Sequence, residues 1–291
     1  MRTGIIQLAI MGEFFDALNT VPLLRHALLA GILSSFAFGV VGSFVVTRRI
    51  GYIAAAIAHS ILGGIGAAIF FSRTFDLPWL TPMVGALVAA LVSAVIIGLV
   101  SLHASEREDT IIGAIWAIGM AVGLIFMHYA PGRGANLESY IFGNILLTSE
   151  SDVWATAVLS LVVLTVTGMF YHKLVAVCFD EEFSRLRGIN SGGYFLLLLI
   201  LLAVSVVLLV RLTGIILAIA LIVLPAATAS KLAKRLWFIM IFAVALSLVY
   251  TVSGLAISYV AEMPTGPVIV LIAAFGYTLT LVAQRFLANR S

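Results

Sequence analysis

A histidine inside an apolar segment is the residue of this sequence best placed to bind an ion. His59 lies in the run AIAHSILGG, among residues too small to block access to it. Ionisable side chains cost roughly 2.5 kcal/mol or more in the middle of a membrane helix, so one that is present needs a reason. A neutral imidazole is a good ligand for zinc or manganese, and it can bind either transiently without the closed cage of a structural site. The alternative is an ordinary histidine that hydrogen-bonds a neighbouring helix.

A second candidate is a charged stretch, residues 172–189, which reads HKLVAVCFDEEFSRLRGI between long apolar segments. Phe179, Phe183 and Leu186 share one face of a helix at this spacing, and Gly188 is a natural end for that helix. The charged residues on its other faces are Asp180, Glu181, Glu182 and Arg185. Such a helix can lay its apolar face into a groove of a soluble partner. A helix resting on the inner membrane leaflet is the weaker alternative, because acids outnumber bases in it and the lipid surface is anionic.

A proline interrupts the apolar run GIILAIALIVLPAATA. Pro225 removes one bond from the helical hydrogen-bond ladder and thereby frees carbonyl groups near Leu221. Freed carbonyls in a membrane helix can line a cavity, so Pro225 is a candidate for a pathway kink. A kink without any such role is equally consistent with the sequence.

The elements that position these residues are membrane helices. Of the 291 residues, 63% are hydrophobic and 10% are charged, and the mean hydropathy is +1.20, beyond the usual range of soluble domains. Because a crossing takes about 20 apolar residues, the fold class is all-α: a polytopic transmembrane helical bundle of about eight to nine spans. The apolar windows are 22–46, 52–72, 82–102, 111–130, 151–171, 193–210, 214–230, 236–260 and 266–284.

Two shorter pieces complete the predicted organisation. Residues 140–147 are too few to cross the membrane and indicate a re-entrant or interfacial helix. Residues 1–21 are expected to form an N-terminal interfacial segment, because Glu13 and Asp16 interrupt their first apolar run and a signal-peptide pattern is missing. Residues 22–291 then make up the membrane domain.

The basic residues predict the orientation. Eleven of the 16 lysines and arginines fall on one set of alternate loops or at the C-terminus, which the positive-inside rule places in the cytoplasm. The charged stretch therefore faces the cytosol, and its neighbours on that side are loops 47–51, 103–110 and 231–235. Loops 73–81 and 131–138 and the N-terminus lie outside. This pattern accounts for the net charge of +3, so no nucleic acid is expected as a partner.

Small residues recur at every fourth position in the first two spans. Such ridges let helices approach closely in lipid, and they predict a compact bundle rather than a transport role for the glycines. The residues are Gly31, Ser35, Gly39 and Ser43 in the first span and Ala56, Ser60, Gly64 and Ala68 in the second.

The motifs of common enzyme classes are missing from the sequence. It contains neither the phosphate-binding motif G-x-x-x-x-G-K-[ST] nor the metalloprotease motif H-E-x-x-H. The serine-hydrolase and two-cysteine redox motifs are absent too, and Cys178 is the single cysteine, expected to be a free thiol. The chain is therefore expected to be neither an enzyme nor the subunit that hydrolyses nucleotide.

Taken in order along the chain, five segments resemble the permease subunits of metal-ion ABC importers, the family that moves zinc, manganese or ferrous iron. The resemblance runs from about Leu23 to Phe286 and makes residues 22–291 a transmembrane permease domain. The segments are SFVVTRRIGYIAAAIAHS, LESYIFGNIL, CFDEEFSRLRGI, GIILAIALIVLPAATASKLAKR and MPTGPVIVL.

The resemblance implies a multi-pass protein of the bacterial cell membrane with three kinds of partner. These are cytosolic ATP-binding subunits, an extracytoplasmic metal-binding protein and a second permease chain, as a homodimer or a heterodimer. No cofactor belongs to this chain, since ATP is bound by the partner subunit and the metal is cargo. Residues 178–189 match the family's coupling segment, with Asp180, Glu182 and Gly188 on its acid, acid and glycine positions, and His59 matches its transport histidine.

One departure from the family concerns the metal ligands. The family commonly has an acid four residues before the histidine and a serine just before it, where this chain has Ala55 and Ala58. Either oxygen ligands come from elsewhere, such as Ser60 or the carbonyls freed by Pro225, or the pathway binds metal only loosely. We favour the first alternative.

The sequence thus predicts an importer permease for zinc or manganese, less so for iron. Its coupling residues are predicted as Asp180, Glu181, Glu182, Phe183, Arg185 and Gly188. A secondary transporter or channel that does not use ATP is the alternative, but paired intramembrane carboxylates and inverted repeats are not evident.

Overall fold

The computed structural model describes residues 17–103, 108–132 and 148–288, and these form helices joined by short turns. Eight of the helices are long and apolar enough to cross a membrane, and a ninth, shorter apolar helix contains Pro225. The all-α bundle of eight to nine spans is therefore confirmed. The helices are α1 (Pro22–Arg48), α2 (Gly51–Phe75), α3 (Pro82–His103), α4 (Glu108–Tyr129), α5 (Glu150–Met169), α6 (Tyr171–Phe179), α7 (Glu181–Leu186), α8 (Ser191–Thr213), α9 (Ile215–Leu232), α10 (Leu236–Ala261) and α11 (Thr265–Ala288).

Local sequence explains where several helices begin and end. Ser149 caps α5 by accepting a hydrogen bond from the Asp152 N–H, while the Asp152 carboxylate accepts one from the Ser149 N–H. This reciprocal cap satisfies two backbone donors that the first turn of a helix leaves unpaired. At the other kind of boundary, Arg49 adopts a left-handed conformation with φ of 60° and ends α1, so that α2 starts at Gly51. The first two spans are therefore joined by a short turn.

Helices α1, α2 and α8 occupy the centre of the bundle, whereas α4, α5 and α11 lie at its periphery. The peripheral helices expose large apolar side chains, among them Leu161 on α5 and Phe275 on α11. In a membrane protein such faces are suited to contact with lipid or with another chain. The interior is apolar and closely packed, with Phe44 and Ile57 fully buried in it.

Helix α2 approaches α3 and α4 through small residues. Gly64 faces Gly85 of α3 so closely that a Cβ on either glycine would collide with the backbone of the other. On the other side of α2, a Cβ added to Gly119 of α4 would lie 2.5 Å from the Cα atom of Ser60. The close packing expected from the small-residue ridges is therefore present at these contacts, since only glycine allows backbones to approach this far.

Two predicted features fall outside the described residues. The short helix at residues 140–147 is one, and most of the N-terminal interfacial segment, residues 1–16, is the other. The division into a segment 1–21 and a domain 22–291 stays a prediction, although a helix does begin at Pro22.

Candidate functional site

His59 lies on α2 where that helix faces α4. Its ring stacks on the indole of Trp116, with 4.3 Å between the ring centroids and an angle of 7° between the planes. Among the described residues, neither ring nitrogen has a hydrogen-bond partner, and the side chain is only partly buried. Stacking covers a π face of the imidazole and leaves the lone pair of its unprotonated nitrogen, which lies in the ring plane, free for an ion. The arrangement fits a ligand better than a histidine tied to a neighbouring helix.

Ser60 is directed to a different neighbour. Its hydroxyl donates a hydrogen bond to the carbonyl of Ile57 at 2.8 Å and accepts one from the Ser93 hydroxyl of α3 at 2.7 Å. The side chain is 5% exposed, so it lies in the contact between α2 and α3. The Ser60 hydroxyl therefore bonds to α3, whereas the His59 ring stacks on α4, and the ligand role of Ser60 stays a prediction.

The neighbours of His59 bear on its predicted role as a ligand. The two alanines that replace the family's usual acid and serine, Ala55 and Ala58, are both buried. Among the described residues, no group of three or more histidine, cysteine, aspartate or glutamate side chains is arranged to hold a metal ion. The ligand role of His59 stays a prediction, and a site with one protein ligand favours brief binding, with water or further groups completing the coordination.

The helix that contains Pro225 continues on both sides of it. Position 225 belongs to α9, and the Thr228 hydroxyl donates to the Leu224 carbonyl at 2.8 Å. Leu221 is 2% exposed, and the carbonyl of Ile222 packs against Gly42 of α1. A pathway role for Pro225 stays a prediction.

The charged stretch 172–189 forms two short helices instead of one. Asp180 breaks it, because its backbone is extended and its carboxylate accepts a hydrogen bond from the Phe183 N–H at 2.8 Å. This contact caps α7, which ends at Leu186, and Gly188 follows with φ of +74°. Asp180 and Gly188 therefore define the ends of α7, for which an acidic cap and a glycine in a left-handed turn are typical.

Glu181 points into the protein, where two arginines bind its carboxylate. Arg48 at the end of α1 lies 2.5 Å from one oxygen, and Arg185 lies 2.8 Å from the other. Burial alone would raise the pKa of the Glu181 carboxyl, but the hydrogen bonds and charges of the two arginines outweigh it and hold the pKa below its usual range. Glu181 is thus ionised at neutral pH and fully engaged within the chain.

The outer surface of α6 and α7 is apolar and open. Phe179, Phe183 and Leu186 are 64%, 50% and 83% exposed, and Glu182 beside them is exposed as well. An exposed apolar patch on so short a helix is suited to a protein partner. Of the predicted coupling residues, all but the partly buried Glu181 are exposed: Asp180, Glu182, Phe183, Arg185 and Gly188. Asp180, Glu181 and Arg185 also make contacts within the chain.

Sequence reasoning missed two residues of these sites. Trp116 gave no signal beyond its position in an apolar window, where a tryptophan at the lipid boundary is ordinary. Arg48 was read only as a topology marker, although its position directly before the turn into α2 could have suggested a structural role.

Known proteins resemble this chain over nearly its whole length. Residues 20–284 match the ABC 3 transport family. A probable metal transport system membrane protein of Chlamydia muridarum is 37% identical over 91% of this chain and 90% of its own length. The manganese transport system membrane protein MntC of Halalkalibacterium halodurans is 30% identical over 91% of this chain and 89% of its own.

A solved structure supports the same assignment. The structure described as PsaBC from Streptococcus pneumoniae in complex with Fab contains a chain that superposes with a TM-score of 0.84 at 28% identity, covering 97% of this chain and all of the other. A second structure, an inward-facing putative metal-chelate type ABC transporter, has a TM-score of 0.70 at 15% identity over 92% of this chain and 88% of its own, and so shares the fold. The chain therefore belongs to the ABC 3 transport family, and it is a multi-pass membrane permease of that family rather than an enzyme.

Proposed function

We propose that this permease imports a divalent transition metal into the cytoplasm, with manganese the first candidate, zinc the second and ferrous iron the third. Support for manganese comes from the names of relatives, which include MntC of Halalkalibacterium halodurans and the manganese import permease ScaB of Streptococcus parasanguinis. The chemistry of one imidazole does not choose among these metals, because affinity at such a site follows the metal series and availability.

The observation that carries the proposal is His59. It is an imidazole within an otherwise apolar span, partly exposed, with nitrogens that have no partner among the described residues. Leaving a polar group unpaired in a membrane protein is costly, so the position is best explained by an ion that binds there in passing. Metal would bind the free nitrogen, keep part of its water shell, and leave when the helices rearrange around it.

Partners supply the energy and the cargo. Cytosolic ATP-binding subunits would dock on the exposed face of α7, with Phe183 in a groove and Glu182 at its rim. An extracytoplasmic metal-binding protein would deliver the ion at the opposite end, and a second permease chain would complete the pathway. The Ser60 hydroxyl and the carbonyls freed by Pro225 remain the predicted further oxygen ligands.

Uptake of radioactive manganese by cells that express the whole transport system tests the proposal. His59→Ala should lower the uptake rate at least about tenfold, as expected for loss of a metal-site residue, while the complex still assembles. His103→Ala, an exposed histidine at the end of α3, is the matched control and should transport normally. Wild-type uptake by the His59 variant would remove the ligand role, and uptake that persists after ATP depletion would contradict an ATP-driven importer.

A further inference from the structure

Arg48 connects four helices at the predicted cytosolic end. It is the last residue of α1, and its guanidinium binds the Glu181 carboxylate of α7. The same guanidinium donates a hydrogen bond to the Val177 carbonyl of α6 and lies 4.9 Å from the ring centroid of Phe195 on α8. One side chain thus joins α1 to α6, α7 and α8.

Glu181 completes this connection from the side of α7. Its second oxygen binds Arg185, whose Nε atom donates to the Ser191 hydroxyl at the start of α8, at 2.8 Å. Because both carboxylate oxygens are used within the chain, Glu181 has little capacity left for a partner protein. Glu182, the next residue, is exposed and has that capacity.

The connection leads directly to the metal-site candidate. Arg48 is followed by the left-handed residue Arg49 and then by α2, which carries His59. His59 lies eight residues into a continuous helix that begins at Gly51, a rise of roughly 12 Å. A rigid helix of this length transmits a displacement of its first turn, so a movement of α7 that pulls on Arg48 reaches His59.

The ion pair of Arg48 and Glu181 is partly buried, which makes it harder to break than an exposed pair. The side chains of Arg48 and Glu181 are 18% and 28% exposed, and each is bound to more than one group. Removing one partner weakens the pairing of the other, partly buried charge, which costs more than the loss of an exposed ion pair.

We propose that Glu181 is a positioning residue: through Arg48 it ties α7 to the turn between α1 and α2, so that displacement of α7 by the ATP-binding subunits moves the helix that carries His59. This inference rests on the proposed function. It gives the two adjacent acids separate tasks, in which Glu182 contacts the partner and Glu181 transmits the motion.

The test uses the complete complex in proteoliposomes, with manganese-loaded binding protein supplied outside. Glu181→Gln and Arg48→Gln should bind the ATP-binding subunits with wild-type affinity, yet the manganese moved per ATP hydrolysed should fall at least about fivefold, the lower range of a coupling energy. The double variant should be no worse than either single variant, because the two residues act as one unit. Glu181→Asp, which keeps the charge, should restore part of the ratio.

Matched controls separate coupling from docking. Arg49→Gln makes the same change at the exposed neighbour of Arg48 and should keep the wild-type ratio. Glu182→Gln should weaken binding of the ATP-binding subunits without changing the metal moved per ATP.

Three results would overturn the inference. One is a wild-type ratio in Glu181→Gln, and another is loss of subunit binding in that variant, which would make Glu181 a docking residue. The third is independent of transport: Glu181→Gln should reduce protection from amide hydrogen exchange in α7 and in the turn between α1 and α2, and unchanged protection would exclude the tie. If the wild-type complex moves no metal with ATP, the proposed function is wrong. The hydrogen-exchange measurement still tests the connection between Glu181 and Arg48 in that case.

Discussion

Ionisable side chains at the predicted cytosolic end of this permease are paired, whereas His59 in the centre of the bundle is unpaired in the described part of the chain. At the cytosolic end, Glu181 has both oxygens bound by arginines and Asp180 caps a helix. In the centre, His59 is left with nitrogens that have no partner among the described residues. Satisfied groups hold a structure in place, whereas an unsatisfied group retains the capacity to bind something that comes and goes.

The difference in charge explains why Glu181 needs partners whereas His59 tolerates having none among the described residues. A carboxylate that is partly removed from water requires partners, and the two arginines provide them. An imidazole can be neutral, so it tolerates an apolar span at a lower cost than a carboxylate does. The acid usual in the family would add a charge beside His59, whereas Ala55 adds none.

The position of His59 depends on the tight packing of α2 against α4. Breaking that packing should cause the largest loss of stability and transport among the changes considered. Gly119→Ala would bring a Cβ to 2.5 Å from the Cα of Ser60, where backbone cannot give way. We expect a loss of about 1–3 kcal/mol in stability, the usual cost of overpacking, with loss of transport. Gly113→Ala is the matched control on the same helix, because nothing lies within 4 Å of its added Cβ. Thermal unfolding in detergent measures both, and equal unfolding temperatures would show that α2 and α4 are not locked together.

The open surface of α7 is the counterpart at the cytosolic end. Phe183→Ser should weaken binding of the ATP-binding subunits by about tenfold, since exposed aromatic anchors contribute much of the energy of such contacts. Phe75→Ser makes the same change at the far end of α2, where Phe75 is 62% exposed, and should leave binding unchanged. Binding of the purified ATP-binding subunit to the permease in nanodiscs measures the difference. Equal affinities for the two variants would place the docking surface elsewhere.

The fold and the contacts differ in how far the sequence predicts them. Apolar windows located the helices, and small residues indicated close packing, because length, periodicity and residue size are local properties. The pairing of Arg48 with Glu181 could not be predicted, since 133 residues separate them and only the packing of α1 against α6 and α8 brings them together. For the same reason the two adjacent acids looked alike, although the cap at Asp180 turns Glu181 inward and Glu182 outward.

The stacking of His59 on Trp116 can be tested for its role in holding the imidazole in a defined geometry. Trp116→Leu should raise the manganese concentration for half-maximal uptake by roughly twofold to tenfold, which corresponds to the 0.5–1.5 kcal/mol of an aromatic pair. Trp116→Phe keeps a stacking ring and should lie near the wild type. Ile118→Ala, at an exposed position on the same helix, serves as the control. A half-maximal concentration unchanged in Trp116→Leu would show that the stack does not position the ligand.

The smallest expected effect is on the labelling of Cys178, the thiol near Arg48. Its labelling rate reports how accessible the buried side of α6 is. Burial raises the pKa of Cys178 from 9.0 to about 12, although Arg48 opposes the rise. The thiolate fraction at neutral pH is therefore lower than for an ordinary thiol, and maleimide should label Cys178 slowly. Phe179→Cys in a Cys178→Ser background places a thiol at an exposed site and should label rapidly. Glu181→Gln keeps Arg48 but loosens α7, so it should speed labelling of Cys178. Rapid labelling of the wild type would mean that the contacts around Arg48 and Glu181 do not hold the cytosolic end in place. The contrast with the unpaired His59 would then be lost.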